Sequence, residues 1–121
     1  SVVVLGGPDE RDVGARLAAL VHKAPCRDLT GGVPLAVAAA VVAGLDALLT
    51  TDSAPAHLAY ALGTPSVTIF LDSDPCRWGP PVPGPHALVD CRARRTADPA
   101  DLAGQVRRLL DGAAAPITTR G

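Results

Sequence analysis

Aromatic residues and methionine are scarce in this chain of 121 residues. It has one Trp, one Tyr and one Phe, which together make 2% of the sequence, and it has no Met. Because large rings are so few, Ala, Val and Leu must fill the core, as is typical of helices packed closely on a parallel sheet. Translation starts with Met, and the first residues already have the pattern of a strand. We therefore expect a segment cut from a longer chain, or a chain whose start was removed.

Cysteine and net charge are also low. Cys26, Cys76 and Cys91 are odd in number and follow no zinc or CxxC spacing, so a reduced, cytoplasmic protein is expected. The formal net charge of −1 gives no electrostatic reason to expect nucleic-acid binding. The basic cluster Arg92–Arg95 is predicted to be a solvated turn. No apolar run approaches the roughly 20 residues of a membrane span, and we expect neither a span nor a signal peptide.

Apolar runs and helical patterns alternate along the chain, which predicts one doubly wound, parallel α/β sheet with right-handed crossovers. Strands are predicted at 1–5, 25–29, 46–51, 66–70 and 87–90. Helices are predicted at 9–23, 34–43, 53–63 and 98–112, and a proline-rich loop at 71–85. Residues 1–112 then make a single domain, and residues 113–121 a flexible C-terminal tail.

Three of these helices carry apolar stripes that we expect to face the core. The stripes are Val13, Leu17, Leu20 and Val21 in the first helix, Leu35, Ala38, Val41 and Val42 in the second, and Leu102, Val106, Leu109 and Leu110 in the last.

The stretch 45–70 is the most informative part of the chain, because it predicts strand, turn, helix and strand. Asp52 and Ser53 follow the first strand directly, Ser53 is a suitable N-cap, and Pro55 fits the first helical turn. This unit places a helix N-terminus at the carboxyl end of a parallel strand, where open α/β sheets bind ligands. Free N–H groups and the helix dipole favour an anion there. With His57 one turn into the helix, the sequence predicts a phosphate site.

The same residues resemble glycosyltransferase family 9, the ADP-heptose:lipopolysaccharide heptosyltransferases and their relatives. The run TTDSAPAHLAYALGTPSVTIF, with DSDP and RWGP after it, is similar to the family pattern D-[ST]-G-x-x-H-x-A-A-A-x-G-x-P, strand, G-P-T-D-P. The upstream GGPDE and PLAVAAAVVAGLDALLT fit the same family. The resemblance covers about residues 2–110 and implies the Rossmann-like C-terminal domain of a two-domain GT-B enzyme.

The family comparison also indicates what this segment lacks. The first strand of the domain, a lysine-bearing loop, and the acceptor domain with its acidic general base have no counterpart here. In the usual doubly wound order the missing strand lies between strands 2–5 and 47–51. We therefore expect a gap of about 9–10 Å, two strand spacings, between those strands. The chain alone is expected to bind ADP or UDP weakly and to transfer no sugar.

The resemblance implies the donor-binding part of an inverting, metal-independent glycosyltransferase. The intact enzyme would move a sugar such as heptose from a nucleoside-diphosphate sugar, for example ADP-heptose, to an acceptor hydroxyl. The acceptor would be a carbohydrate or glycolipid, held by the N-terminal domain. No cofactor and no metal are implied.

Four implied donor contacts lie at the central turn. By resemblance, Asp52 contacts the sugar hydroxyls, His57 donates to the leaving phosphate, and Ser53 and the amide of Ala54 hold the diphosphate; Asp52 and His57 are the catalytic candidates. Each has a simpler alternative, since Asp52 and Ser53 are both suitable helix caps and a lone histidine is more often structural.

Further donor contacts are implied upstream. Glu10 matches a glutamate that binds the ribose hydroxyls, and Val33 matches a position bordering the adenine. Glu10 is equally suited to complement a helix dipole, and Val33 to start a helix. Asp72-Ser73-Asp74 superficially resembles a metal-binding DxD motif, but two carboxylates make a poor cation site and the segment is predicted to be a loop.

Two departures from the family pattern leave other functions open. Ala54 stands where the family has glycine, and Leu71-Asp72 where it has Gly-Pro. Glycine lets a phosphate approach the backbone closely, and Ala54 narrows that approach. The alternatives are a nucleotide-sugar 2-epimerase of the same architecture, such as the UDP-GlcNAc 2-epimerases, and a non-catalytic nucleotide- or anion-binding module.

Overall fold

A computed structural model describes residues 1–112 and the backbone of residues 118–120. The strands are β1 Val2–Val4, β2 Cys26–Asp28, β3 Leu48–Thr51, β4 Ser66–Phe70, β5 His86–Asp90 and β6 Thr118–Arg120. The helices are α1 Arg11–Leu20, α2 Leu35–Ala43, α3 Ala54–Leu62, α4 Pro75–Trp78 and α5 Pro99–Leu110, and a 3₁₀ turn at Pro8–Glu10 precedes α1. The chain forms two compact units, residues 1–38 and residues 39–121.

In the first unit β1 and β2 pair in parallel, with Val2 opposite Cys26 and Val4 opposite Asp28. The turn after β2 is fixed by Thr30, whose amide and hydroxyl both donate to Asp28, at 2.9 and 2.6 Å. These hydrogen bonds hold the pKa of Asp28 below its usual range. The Thr30 side chain is therefore held in a fixed position after β2.

Helix α1 approaches Thr30 through Gly14, the buried residue of that helix. A Cβ atom built at Gly14 lies 2.3 Å from the Thr30 hydroxyl oxygen and 2.8 Å from Thr30 Cβ. Both distances are far below van der Waals contact, so only a residue without a side chain fits here.

We expect Gly14→Ala to lower the free energy of unfolding by about 1–3 kcal/mol, because the methyl group overpacks against Thr30. Gly104→Ala is the matched control, since Gly104 is also helical and a Cβ there meets nothing within 4 Å. It should stabilise the chain by about 0.5–1 kcal/mol through the better helix propensity of alanine. Urea unfolding of the two variants measures both changes, and a gain at Gly14 equal to that at Gly104 would contradict the close packing.

The predicted inward stripe of the first helix is wrong. Val13, Leu17 and Leu20 are 54%, 50% and 71% exposed, and Val21, which is half-buried, lies after the end of the helix. The helix also ends at Leu20, short of the predicted residue 23. The physical reason is that α1 packs through its small residues, buried Gly14 and half-buried Ala18, and these lie on another side of the helix.

The stripe of the second helix is confirmed only in part. Val42 is fully buried, and Ala38 and Val41 are half-buried, whereas Leu35 is 69% exposed. Helix α2 is apolar on all sides, so its sequence pattern does not select the buried face.

The second unit is a parallel sheet in the order β3-β4-β5-β6. Strand β4 lies between β3 and β5, with Thr51 opposite Ile69 and Phe70 opposite Asp90. The buried cluster of this sheet consists of Val67, Ala87, Val89 and Cys91. Leu102, Val106 and Leu109 of α5 pack against it, as the periodicity of that helix predicts, but Leu110, the fourth residue of the predicted stripe, is exposed. Asp98 caps α5 by accepting from the Ala100 amide at 2.9 Å.

The predicted α/β class with parallel strands is confirmed, but the single sheet is not observed. Within the described residues the strands pair in two separate sheets, β1-β2 and β3 to β6. The 9–10 Å spacing expected between strands 2–5 and 47–51 stays a prediction. None of the described helices has the length and apolar character needed to cross a bilayer.

Two segments differ from the predicted loop and tail. Helix α4 lies inside the predicted loop 71–85, and it forms because Asp74 caps it by accepting from the Cys76 amide at 3.0 Å. Residues 118–120, part of the predicted flexible tail, form β6, which pairs in parallel with β5. The rest of that tail, 113–117 and 121, lies outside the described residues.

Candidate functional site

The turn between β3 and α3 exposes backbone amides at the carboxyl edge of the second sheet. The Asp52 amide donates to Ile69 at 3.1 Å and so extends the ladder beyond β3. Ser53 is extended, and α3 starts at Ala54 with proline in its first turn, as predicted. The amides of Ala56 and His57 both donate to the Ser53 carbonyl. Within this turn, the amides of Ser53 and Ala54 make no hydrogen bond to any described residue.

The Ser53 side chain does not cap the helix, which corrects the expected N-cap role. Its hydroxyl donates to the Thr51 carbonyl at 3.1 Å and lies 3.2 Å from the hydroxyl of Thr50. The hydroxyl is therefore directed back towards β3. As a consequence, the first amides of α3 keep their capacity to bind an anion.

Asp52 and His57 come together beside these amides. Asp52 Oδ1 lies 3.2 Å from His57 Nε2, and Asp52 Oδ2 accepts a hydrogen bond from the Ser73 hydroxyl. The Asp52 side chain is 14% exposed and that of His57 is 47% exposed. Among the described residues no donor meets Asp52 Oδ1 with hydrogen-bond geometry, although the atom is buried. A buried carboxylate oxygen in this state has unused capacity to accept a hydrogen bond.

An open pocket of about 350 Å³ lies next to Asp52, at the carboxyl ends of β3 and β4. Its lining residues are Thr51, Asp52, Ile69, Leu71, Asp72 and Ser73. Parallel α/β sheets bind ligands at this edge, so the pocket and the free amides occupy the expected position.

Two aromatic side chains pack against the His57 ring. The imidazole makes edge-to-face contacts with Tyr60, at 5.6 Å between ring centroids, and with Trp78, at 6.3 Å. Tyr60 is itself fixed by donating to the Thr68 hydroxyl at 2.9 Å. Burial raises the pKa of Tyr60, so this donor keeps its proton. Trp78 is 46% exposed, with the Arg77 guanidinium 5.2 Å from its ring centroid.

His86 was missed by the sequence analysis, in which nothing marked it. It is 2% exposed, its Nδ1 lies 2.8 Å from the Ser66 hydroxyl, and its ring packs edge-to-face on Tyr60 at 5.0 Å. Burial lowers the pKa of His86 below its ordinary value of 6.5. The neutral His86 ring therefore contacts Tyr60, which in turn contacts His57.

We expect the free energy of unfolding to fall as the pH falls below about 6.5. The pKa of His86 is lower in the folded chain, so the unfolded chain binds the proton first on acidification. The stabilisation is present above pH 6.5 and is lost as the pH passes down through the folded-state pKa. The slope of this loss is at most about 1.4 kcal/mol per pH unit for one proton.

Urea unfolding between pH 8 and pH 5 measures this dependence, with His86→Gln as the control because glutamine does not titrate. The other two histidines are present in both proteins and cancel in the difference. Parallel pH profiles for the two proteins would contradict the buried neutral His86.

The remaining predicted site residues lie elsewhere. Glu10 Oε2 accepts from the Gly7 amide at 2.7 Å and so stabilises the 3₁₀ turn. Val33 is half-buried just before α2. Both belong to the first unit, whereas Asp52, Ser53, Ala54 and His57 belong to the second.

The acidic residues of the loop after β4 already have protein partners. Asp72 pairs with Arg95, and Asp74 caps α4 and lies 3.6 Å from Arg92. Within the described ranges, no three His, Cys, Asp or Glu side chains are grouped as a metal site. The Arg92–Arg95 cluster is an exposed turn, as predicted, and two of its arginines are held by carboxylates.

Comparison with known proteins gives the family. The sequence model of glycosyltransferase family 9 (heptosyltransferase) matches residues 1–98. This chain belongs to glycosyltransferase family 9. Lipopolysaccharide heptosyltransferase 3 of Escherichia coli is a family relative, 32% identical over 81 residues, which make 65% of this chain and 24% of that protein.

The solved structure of a family 9 glycosyltransferase from Veillonella parvula has the same fold. Its TM-score to this chain is 0.77 at 21% identity, over 91% of this chain and 36% of that one. The family 9 assignment made from the motifs is thus confirmed. The chain spans only about a quarter of the E. coli relative and about a third of the solved structure.

Proposed function

We propose that this chain binds the nucleoside-diphosphate-sugar donor of an inverting glycosyltransferase, with the diphosphate at the N-terminus of α3. The observation that supports this most is the turn itself. Free amides of Ser53 and Ala54 lie one helical turn from His57, beside the buried oxygen of Asp52. Amides, helix dipole and imidazole all favour a phosphate here.

In this proposal the residues of the turn contact different parts of the donor. His57 donates a hydrogen bond to the departing diphosphate and stabilises the charge that develops on it. Asp52, which lines the pocket, accepts from a sugar hydroxyl. The acceptor hydroxyl is activated by a base outside this chain. The amides, the helix dipole and His57 together offset the charge of the leaving group, so no metal is required.

The rest of the donor is assigned to the first unit. We propose that Glu10 accepts from the ribose hydroxyls and that Val33 borders the base. The proposed donor, ADP-heptose, follows from the similarity to family 9 heptosyltransferases. Glu10 already accepts from the Gly7 amide through Oε2, so the second carboxylate oxygen is the one assigned to the ribose.

A non-catalytic nucleotide-binding module is the alternative, and Ala54 is the feature that favours it. Its methyl group stands at the first residue of α3, where the family pattern has glycine. Ala54→Gly should therefore tighten the binding of ADP if the methyl group restricts access to the amides. An unchanged affinity would remove this argument for the alternative.

Calorimetric titration with ADP, UDP and adenosine tests the proposal. ADP should bind, adenosine should bind much more weakly, and added salt should weaken ADP because the diphosphate carries the interaction. The emission of Trp78, the chain's only tryptophan, should change in the same titration, since its ring contacts His57. Adenosine binding as well as ADP, or an absence of ADP binding, would contradict the proposed site.

A further inference from the structure

We propose that Ser73 is a positioning residue for Asp52, linking the loop after β4 to the turn between β3 and α3. The Ser73 hydroxyl donates to Asp52 Oδ2 although the two residues are 21 positions apart. Both residues line the same pocket. The effect on the donor rests on the proposed function, whereas the effect on the Asp52 side chain does not.

The hydrogen bond from Ser73 gives the two oxygens of the Asp52 carboxylate different environments. Oδ2 is held by the hydroxyl, and Oδ1 is left facing His57 without a hydrogen bond. The Asp52 amide is also fixed, through its bond to Ile69. With the backbone and one oxygen both held, the carboxylate has a single orientation, with the buried Oδ1 directed at Nε2 of His57.

Without the hydroxyl of Ser73 the carboxylate is free to rotate about its Cβ–Cγ bond. Nε2 of His57 is 3.2 Å from Oδ1, close enough to attract either oxygen. A carboxylate that exchanges its two oxygens at the imidazole no longer keeps one fixed orientation beside the sugar. Ser73 therefore acts on the donor through Asp52 and is not itself a donor contact.

The loop around Ser73 is anchored independently of this hydroxyl. Asp72 pairs with Arg95, and the Asp74 side chain caps α4. Ser73→Ala removes one hydroxyl and leaves both anchors in place, so the loop and the fold should be retained. Ser73→Thr keeps the hydroxyl and serves as the rescue variant.

The first test needs no ligand. Crystal structures of the wild-type chain, Ser73→Ala and Ser73→Thr are compared at Asp52. We expect the Asp52 side chain to change its rotamer or to occupy two rotamers in Ser73→Ala, and to keep its wild-type orientation in Ser73→Thr. An unchanged, single rotamer in Ser73→Ala overturns the inference whatever the ligand measurements give.

The second test measures binding of ADP and of ADP-heptose to the same three proteins. The wild-type chain should bind ADP-heptose more tightly than ADP. In Ser73→Ala this preference should fall about tenfold, as expected for weakening a charge-assisted hydrogen bond, with the Kd for ADP changed less than about twofold. Ser73→Thr should retain the preference.

The outcomes separate the two proposals. Equal weakening of ADP and ADP-heptose in Ser73→Ala indicates a general structural role and overturns the positioning role. A preference retained in Ser73→Ala also overturns it. A wild-type chain that binds ADP but shows no preference for ADP-heptose contradicts the proposed sugar contact of Asp52, and the orientation of Asp52 in the crystal structures then decides the inference.

Discussion

Replacing Phe70 by alanine is expected to lower the free energy of unfolding by about 3–5 kcal/mol. Phe70 is the only phenylalanine of the chain and is fully buried at the carboxyl end of β4. Its removal leaves a cavity in a core whose other described apolar members, apart from Tyr60, are small or medium side chains. The upper end of this loss equals the lower end of the stability of a typical domain, roughly 5–15 kcal/mol. Urea unfolding followed by circular dichroism measures it.

Phe70→Leu is the matched control, since it keeps most of the volume. It should lower the free energy of unfolding by less than about 1.5 kcal/mol. A loss in Phe70→Ala as small as that of Phe70→Leu would mean that the neighbouring strands collapse into the space left by the ring. That result would contradict rigid packing around β4.

Replacing His57 by alanine is expected to weaken ADP binding by between about 10- and 100-fold, since hydrogen bonds to charged groups contribute roughly 1.5–3 kcal/mol. The imidazole lies one turn from the free amides, and its ring is fixed by Tyr60 and Trp78. It can therefore donate to a phosphate without first being ordered. Calorimetric titration of wild-type and variant chains with ADP measures the change.

His22→Ala is the control for this variant, because His22 is exposed in the first unit and takes no part in the site. It should leave the Kd for ADP unchanged. His57→Gln, which keeps a donor group, should fall between the wild type and His57→Ala. An affinity in His57→Ala equal to that in His22→Ala would remove His57 from the proposed phosphate contacts.

The sequence predicted those features that depend on residues close together in the chain. Pro55 and Gly63 bound α3 as expected, and Gly63 has the left-handed conformation of a helix C-terminus, with φ 72°. Asp98 caps α5 for the same local reason. Asp52 and His57 are predicted to be close because they flank a single turn, and the structure places them 3.2 Å apart.

Features that depend on distant residues were not predicted. The bond from Ser73 to Asp52 and the burial of His86 against Ser66 both join positions about 20 residues apart. Their side chains meet only because β3, β4 and β5 are neighbours in the sheet. Likewise, α1 exposes its large apolar residues because Gly14 lies close to Thr30. The periodicity of the helix sequence does not predict this contact.

Local signals also failed where short elements rely on a single interaction. Helix α4 has four residues and lies in a proline-rich segment, so its pattern is that of a loop. The cap from Asp74 is the local signal that favours a helix over a loop. Loops rich in serine, asparagine or aspartate offer the same cap without forming a helix. Strand β6 depends in the same way on pairing with β5.

The most direct measurement is a titration of the ¹⁵N-labelled chain with ADP, followed by amide chemical shifts. The account places the diphosphate on the amides of Ser53 and Ala54, so their signals should shift most, followed by that of His57. Titration of His57→Ala should move the same amides with a higher Kd. Largest shifts at the glycine turns Gly6–Gly7 or Gly31–Gly32, with Ser53 and Ala54 unmoved, would contradict the proposed phosphate site.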